Sequence, residues 1–145
     1  MSRPSALIPD EAADADPTTL LAPRLRVHAA GLLADTAAVN LLIAHRYWLT
    51  RPTFTTRFVQ PVTTGDGQHA WAYIVDWQTA ITALQGGQLP CSSSEADVPR
   101  IAASLGAEVP ITLREVLGRL DQANIAAVTT AITAANGTPR RHPDA

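Results

Sequence analysis

The chain has 145 residues, a single cysteine and a formal charge of −2, which corresponds to a pI near 6.0. This length predicts one domain with a core of its own, and the charge excludes a strongly basic nucleic-acid-binding domain. A lone cysteine excludes an internal disulfide, and the sequence has no apolar run long enough for a signal peptide or a membrane span. We therefore expect a cytoplasmic protein.

The two ends of the sequence differ from its middle. Residues 1–23 contain four prolines and four acidic residues with little apolar periodicity, which predicts a disordered or loosely packed N-terminal arm. Residues 138–145 have a similar character and predict a disordered tail. A single domain is therefore expected over residues 24–137.

Helix signals come first in this domain. A helical stretch is expected over residues 27–33, with an end or a bend near Gly31. Asp35 then has the character of an N-cap for a second helix, and Pro52 is expected to close the segment. The apolar stripe of the second helix consists of Val39, Leu42, Ile43, the stem of Arg46, and Tyr47.

Two segments rich in β-forming residues follow. Residues 53–62 and residues 69–75 both show the alternation that is typical of strands. Residues 63–68 between them include Gly65 and Gly67, which tolerate turn conformations, so we expect a β-hairpin. The second strand is apolar on both faces, which indicates that a helix covers at least one of them.

One later helix has an ambiguous beginning. Ser92 and Glu95 have the spacing of a capping box, but a helix that begins there would hold Pro99 in its interior. The helix is therefore predicted to begin near Asp97 or just before Pro99, and to end at Gly106.

Capping signals mark three further helices. Asp76 is expected to begin the first of them, and Thr112 with Glu115 forms a capping box for the second. Asp121 is expected to cap the last helix, which ends at Gly137. The apolar positions expected to face inward on the first and last of them are Trp77, Ala80, Ile81, Leu84, Ile125, Val128, Ile132 and Ala135. The predicted class is α+β, with an N-terminal helix, one hairpin and then about four short helices packed on it.

Aromatic residues and arginine are concentrated in one region. All seven aromatic residues lie between positions 47 and 77, and residues 36–65 carry three arginines and no acidic residue. Arginine interleaved with aromatic rings can bind phosphates and stack on bases. The alternative is that the rings form the core while the arginine stems cover it, and we expect Trp71 and Trp77 to be core residues. The candidate binding residues, all within segment 45–58, are Arg46, Trp48, Arg51 and Arg57.

Evidence for catalytic chemistry in the sequence is sparse. No pair of histidines has metal-ligand spacing and no glycine-rich loop precedes a helix, so we expect neither a metal nor another cofactor. Cys91 lies just before an expected helix N-terminus, where a thiolate is favoured, and His45 or His69 could serve as its base. Cys91 lacks any flanking signature of a nucleophile, however, and no catalytic residue is assigned.

These features predict a non-enzymatic, cytosolic protein-interaction module that offers an acidic helical face to a protein partner. The first alternative is an accessory protein that binds nucleic acid through segment 45–58, although that partner is not favoured because a charge of +3 is small. A further alternative is a small enzyme that uses Cys91. No membrane partner is expected, and a homo-oligomer is left open.

Overall fold

The computed structural model describes residues 17–137, which form seven α-helices, one 3-10 helix and a two-stranded antiparallel hairpin. The α+β class is confirmed, and four helices follow the hairpin as predicted. No helix in this part of the chain combines the length and apolar character needed to cross a bilayer. In chain order the elements are α1 (Pro17–Ala29), α2 (Leu33–His45), the 3-10 helix (Trp48–Thr50), α3 (Pro52–Phe58), β1 (Val59–Thr63), β2 (Ala70–Ile74), α4 (Trp77–Gln85), α5 (Ser93–Ala107), α6 (Leu113–Leu117) and α7 (Gln122–Asn136).

Helix α1 begins inside the segment that the sequence assigned to an N-terminal arm. Residues 17–23 are helical, and Ala22 is buried together with Leu25 and Ala29. These three residues have the spacing i, i+3, i+7 and form a narrow apolar face of the helix. The prolines and polar residues around them make this face hard to recognise in the sequence. The predictions for residues 1–16 and 138–145 lie outside the described residues.

Helix α2 begins before its predicted cap. Its N-cap is Leu32, which makes no side-chain bond, and Asp35 lies in the first helical turn. The carboxylate of Asp35 is favourable there because the helix N-terminus carries a partial positive charge. The face of α2 that meets α5 and α7 is largely buried and consists of Ala37, Ala38, Leu41 and Leu42.

The strand predicted for residues 53–62 is wrong over most of its length. Residues 52–58 form helix α3, which has Pro52 in its first turn, and the strand begins only at Val59. Pro52 therefore begins a helix, a position that proline tolerates because its N–H would be unpaired there anyway. Phe54 and Phe58 are both buried, and their spacing of four fits a helical face as well as strand alternation.

The predicted hairpin is confirmed. Val59 pairs with Ile74 and Pro61 with Ala72, and Thr64 N–H donates to the His69 carbonyl at 2.9 Å. Along β1, residues that hydrogen-bond to β2 alternate with residues whose backbone groups point away from β2. Pro61 is one of those whose backbone nitrogen points away from β2. Proline has no N–H to offer to another strand, which protects this edge. Helix α1 packs on β2, whereas α5 and α7 pack mainly on α2.

Helix α5 begins at its capping box, and the predicted start near Asp97 is wrong. Ser92 Oγ accepts from Glu95 N–H at 3.3 Å, and Glu95 Oε1 accepts from Ser92 N–H at 2.8 Å. Pro99 lies in the helix interior and has no N–H for the Glu95 carbonyl. The indole Nε1–H of Trp48 donates to that carbonyl at 2.7 Å. A tertiary hydrogen bond thus replaces the helical one that proline removes.

Of the capping predictions for the last two helices, the one at Thr112 is wrong and the one at Asp121 is confirmed. Thr112 makes no side-chain cap bond, so the box predicted with Glu115 does not form. Asp121 does cap α7, accepting from Asn124 N–H at 2.8 Å, and Gly137 ends that helix with φ 73°. The inward face of α7 includes Val128 and Ala131, which are buried, while two positions predicted inward are exposed, namely Ile125 and Ile132.

Candidate functional site

The Arg and aromatic segment contributes its rings mainly to the core. Trp48 is 2% exposed, and Phe54 and Phe58 are also buried. The guanidinium of Arg51 lies 4.2 Å from the centre of the Tyr47 ring. These buried rings present no face on which a base could stack, so Trp48 is not part of a surface site.

The arginines of this segment contact different parts of the fold. Arg57 lies 4.7 Å from the centre of the Phe58 ring and donates from Nη2 to Gln88 Oε1 at 3.2 Å. Arg46 is exposed and ends α2 with φ 66°, in the left-handed region. Arg51 packs on Tyr47, as described above. The contacts of Arg51 and Arg57 are those of cationic stems that cover an aromatic core.

Cys91 lies two residues before the first residue of α5 and is half-buried. Burial raises the pKa of its thiol, and the nearby carboxylates of Glu95 and Asp97 raise it further. The thiol is therefore held in its protonated form at neutral pH, whereas a nucleophile needs the thiolate. His69, one of the two proposed bases, is exposed beside the hairpin turn.

A closed ion-pair network joins α5 to the segment after α6. Asp97 is fully buried, and its two carboxylate oxygens accept from Arg119 Nε at 2.9 Å and Nη2 at 2.8 Å. Arg100 Nη1 lies 3.4 Å from the same carboxylate, and Arg100 Nη2 lies 3.0 Å from Glu115. Two acids and two arginines thus balance each other in charge, which identifies a structural network.

A half-enclosed pocket of about 180 Å³ is the strongest candidate for a binding site. It lies where α1, α2, β2, α4 and α5 meet. Its apolar lining includes Leu25, Ala38, Val39 and Ala72, and its polar side chains are His28, Asp35, Tyr73 and Trp77. Concave apolar walls with a few convergent polar groups are typical of binding sites.

Two close contacts shape this pocket. The rings of His28 and Tyr73 stack with their centres 5.2 Å apart and their planes at 29°. A Cβ atom at Gly106 would lie 3.1 Å from the Cβ of Ala38 and 3.3 Å from Trp77 Nε1. The absence of a side chain at this position therefore lets the Trp77 indole approach α5 closely.

Three polar groups of the pocket have no hydrogen-bonding or ion-pair partner in the part of the chain that the structure describes. Among residues 17–137 no hydrogen bond or ion pair reaches the carboxylate of Asp35, the hydroxyl of Tyr73 or the indole Nε1–H of Trp77. All three side chains are partly exposed, so these groups can bond to water or to a ligand that enters the cleft.

Sequence reasoning did not find this site. Its polar residues come from four different elements, so no local spacing connects them. Tyr73 and Trp77 have the pattern of core residues, and Trp77 does pack against the core while remaining partly exposed. Asp35 was interpreted as a cap, which is the ordinary role of an aspartate before an apolar stripe.

No cluster of three or more histidine, cysteine, aspartate or glutamate side chains within the described residues could hold a metal ion. Comparison of the chain with protein-family models, with curated proteins and with solved structures found no match. We therefore infer function from the chemistry of the pocket alone.

Proposed function

We propose that this protein is a non-enzymatic interaction module in which one side chain of a partner protein enters the pocket. The observation that carries the proposal is the set of unpaired polar groups on the apolar walls of this pocket. Its volume of about 180 Å³ is small beside the roughly 300–1,000 Å³ typical of cofactor and small-molecule sites. A pocket of this size suits a single side chain.

The surface near the pocket supports a protein partner. Eight large apolar side chains of the described residues are exposed, and four of them lie within three residues of a pocket-lining residue. These four, which we call the apolar rim, are Val27, Leu32, Leu33 and Val75, with exposed fractions of 59%, 58%, 59% and 52%. Exposed apolar side chains close in sequence to the residues of a recess with polar groups fit the composition expected of a protein interface.

Binding is favoured over catalysis by the arrangement of the polar groups. Nucleophilic catalysis requires a nucleophile hydrogen-bonded to a base, and within residues 17–137 no hydrogen bond links two polar groups of the pocket. Cys91, the nucleophile considered from the sequence, does not line this pocket. A protein partner is favoured over nucleic acid because the lining contains a carboxylate and no arginine. We propose a cytoplasmic location from the sequence features alone.

Selection of displayed random peptides against the full chain tests the proposal. The affinity of the recovered peptides is then measured by titration calorimetry against the wild type and a Val27→Gln, Val75→Gln double variant. We expect the double variant to lose about tenfold or more in affinity, because two apolar contacts are removed. Leu113→Gln is the matched control, since Leu113 is 57% exposed and does not line the pocket.

Two results would contradict the proposal. The first is equal affinity of the recovered peptides for the wild type and the rim double variant. The second is a selection that recovers no peptide above background. Self-association of the full chain that the double variant abolishes would support the proposal and identify the partner as a second copy of the chain.

A further inference from the structure

We infer that the group entering the pocket is an alkylammonium, carried by a lysine side chain of the partner; this inference rests on the proposed function. Asp35 supplies the charge that would recognise it. It is the one carboxylate that lines the pocket among residues 17–137, and no arginine or lysine lines it to compensate that charge. A cation would restore the balance that the fold leaves open.

Aromatic rings add to this preference. Tyr73, which has one face stacked on His28, and Trp77 line the same recess as Asp35. The faces of aromatic rings carry negative charge density and attract ammonium groups, with tryptophan the strongest of the side chains in this respect. A carboxylate together with aromatic side chains is the combination that an ammonium group requires.

The ends of two helices also act on this site. His28 and Ala29 belong to the last turn of α1, where the helix end carries a partial negative charge that favours a cation, although the Ala29 carbonyl itself already accepts from Leu32 N–H and the Thr36 hydroxyl. The first turn of α2 has the opposite sign and holds Asp35. A full negative charge on that side chain outweighs the half charge of a helix N-terminus.

The size and lining of the pocket suit a lysine side chain. Its apolar walls, formed by Leu25, Ala38 and Ala72, can contact a methylene stem while the charged end meets Asp35. An ammonium group is a compact point charge, and a recess of about 180 Å³ can accept it at the end of its stem. Arg26, on the same helix as His28, does not line the pocket, and its Nε donates to Asn40 Oδ1 at 2.9 Å.

Nuclear magnetic resonance of the ¹⁵N-labelled full chain tests this inference directly. The probes are n-butylammonium, which reproduces the end of a lysine side chain, and 1-butanol, which is neutral and of similar length. The readout is the indole Nε1–H resonance of each tryptophan. Trp77 lines the pocket, while Trp48 is buried and bonded to the Glu95 carbonyl and therefore serves as an internal control.

We expect n-butylammonium to shift the Trp77 resonance, to leave Trp48 unchanged and to bind at least about tenfold more tightly than 1-butanol. Asp35→Asn should remove this preference, because it keeps the shape of the side chain and deletes the charge. Asp121→Asn is the matched control: it deletes one exposed negative charge at the cap of α7, and asparagine caps equally well.

Equal binding of the two probes, or an undiminished preference in Asp35→Asn, would overturn the inference. So would selected peptides that bind through the apolar rim and contain no lysine, or self-association of the chain through that rim, because the sequence contains no lysine. Either of these last two results would leave the proposed function intact, whereas peptides indifferent to the rim variant would contradict the function itself. Arginine in place of lysine in those peptides would also overturn the assignment of an alkylammonium.

Discussion

Two aspartates in this protein have opposite surroundings. Asp97 is fully buried and receives two short hydrogen bonds from Arg119, with Arg100 beside it. Asp35 lines an open pocket, and within residues 17–137 no hydrogen bond or ion pair reaches its carboxylate. The first carboxylate is part of the fold because its charge is compensated internally. The second is available to a ligand, so loss of Asp35 should affect binding and loss of Asp97 should affect stability.

The largest expected effect comes from Asp97→Ala. The variant leaves Arg100 without its buried partner, and we expect the free energy of unfolding to fall by about 2–4 kcal/mol. This loss of free energy of unfolding is smaller than that expected for a fully buried ion pair, because the Arg119 side chain is 43% exposed. Urea denaturation measures this loss of free energy, and the m-value should be unchanged. Asp35→Ala in the same assay should cost less than about 1 kcal/mol, and equal losses for the two variants would remove the distinction between them.

A pair of tryptophans extends the comparison. Trp48→Phe removes the Nε1–H that binds the Glu95 carbonyl and leaves space in the core, so we expect a loss of about 2–3 kcal/mol. Trp77→Phe removes an indole N–H that has no partner among the described residues, and about 1 kcal/mol should be lost. Thermal and urea unfolding of both variants would show the difference, and a greater loss for Trp77→Phe would reverse the assignment of roles.

Cys91 offers a kinetic test of the enzymatic alternative. Because burial and two nearby carboxylates raise the pKa of the Cys91 thiol, alkylation by iodoacetamide at pH 7 should be slower than that of a free cysteine. The rate of alkylation should rise only when the pH exceeds the ordinary range of thiol pKa values. Unfolded protein in urea provides the control, since the same residue then reacts at the rate of an exposed thiol. Fast alkylation of the folded chain at neutral pH would make Cys91 a candidate nucleophile again.

The smallest expected effect is the contribution of His45 to the pH dependence of stability. Burial lowers the pKa of His45, whose Nδ1 is buried without a hydrogen-bond partner, although Glu95 and Asp121 oppose the shift. A histidine with a lowered pKa stabilises the fold above the unfolded value of 6.5, and this contribution is lost as the pH falls through the folded value. Stability should therefore decline below about pH 6.5, and His45→Gln should flatten the decline.

Some of the local signals in the sequence predicted the structure correctly, while the Thr112 capping box and the Asp35 cap did not form. The caps at Asp76 and Asp121 and the end of α7 at Gly137 are present, since each depends on residues three or four positions apart. Residues 53–58 were predicted as a strand because Phe54 and Phe58 fit both periods, and tertiary packing decided between them.

The pocket was beyond sequence reasoning for a different reason. His28, Asp35, Tyr73 and Trp77 are brought together only when β2 packs against α1 and when α4 packs on α5, which itself packs on α2. Each of these residues has an ordinary local interpretation, and nothing in the spacing shows that their polar atoms lack partners. That information belongs to the tertiary structure, because it depends on which groups every other element has left unpaired.

Pro99 has a consequence for the order of folding. The hydrogen bond that completes α5 at the Glu95 carbonyl comes from Trp48, which lies 47 residues earlier in the chain. An isolated peptide of α5 therefore lacks a bond that only the folded protein supplies, and its helicity in water should be low. Helix α5 therefore becomes complete only when the 3-10 helix docks. This event is non-local, because it closes the loop of chain between Trp48 and Glu95, and closing that loop has a high entropic cost. The proline thus makes secondary structure in this part of the chain conditional on tertiary contact, so that this helix and the core it joins should gain amide protection in a single step.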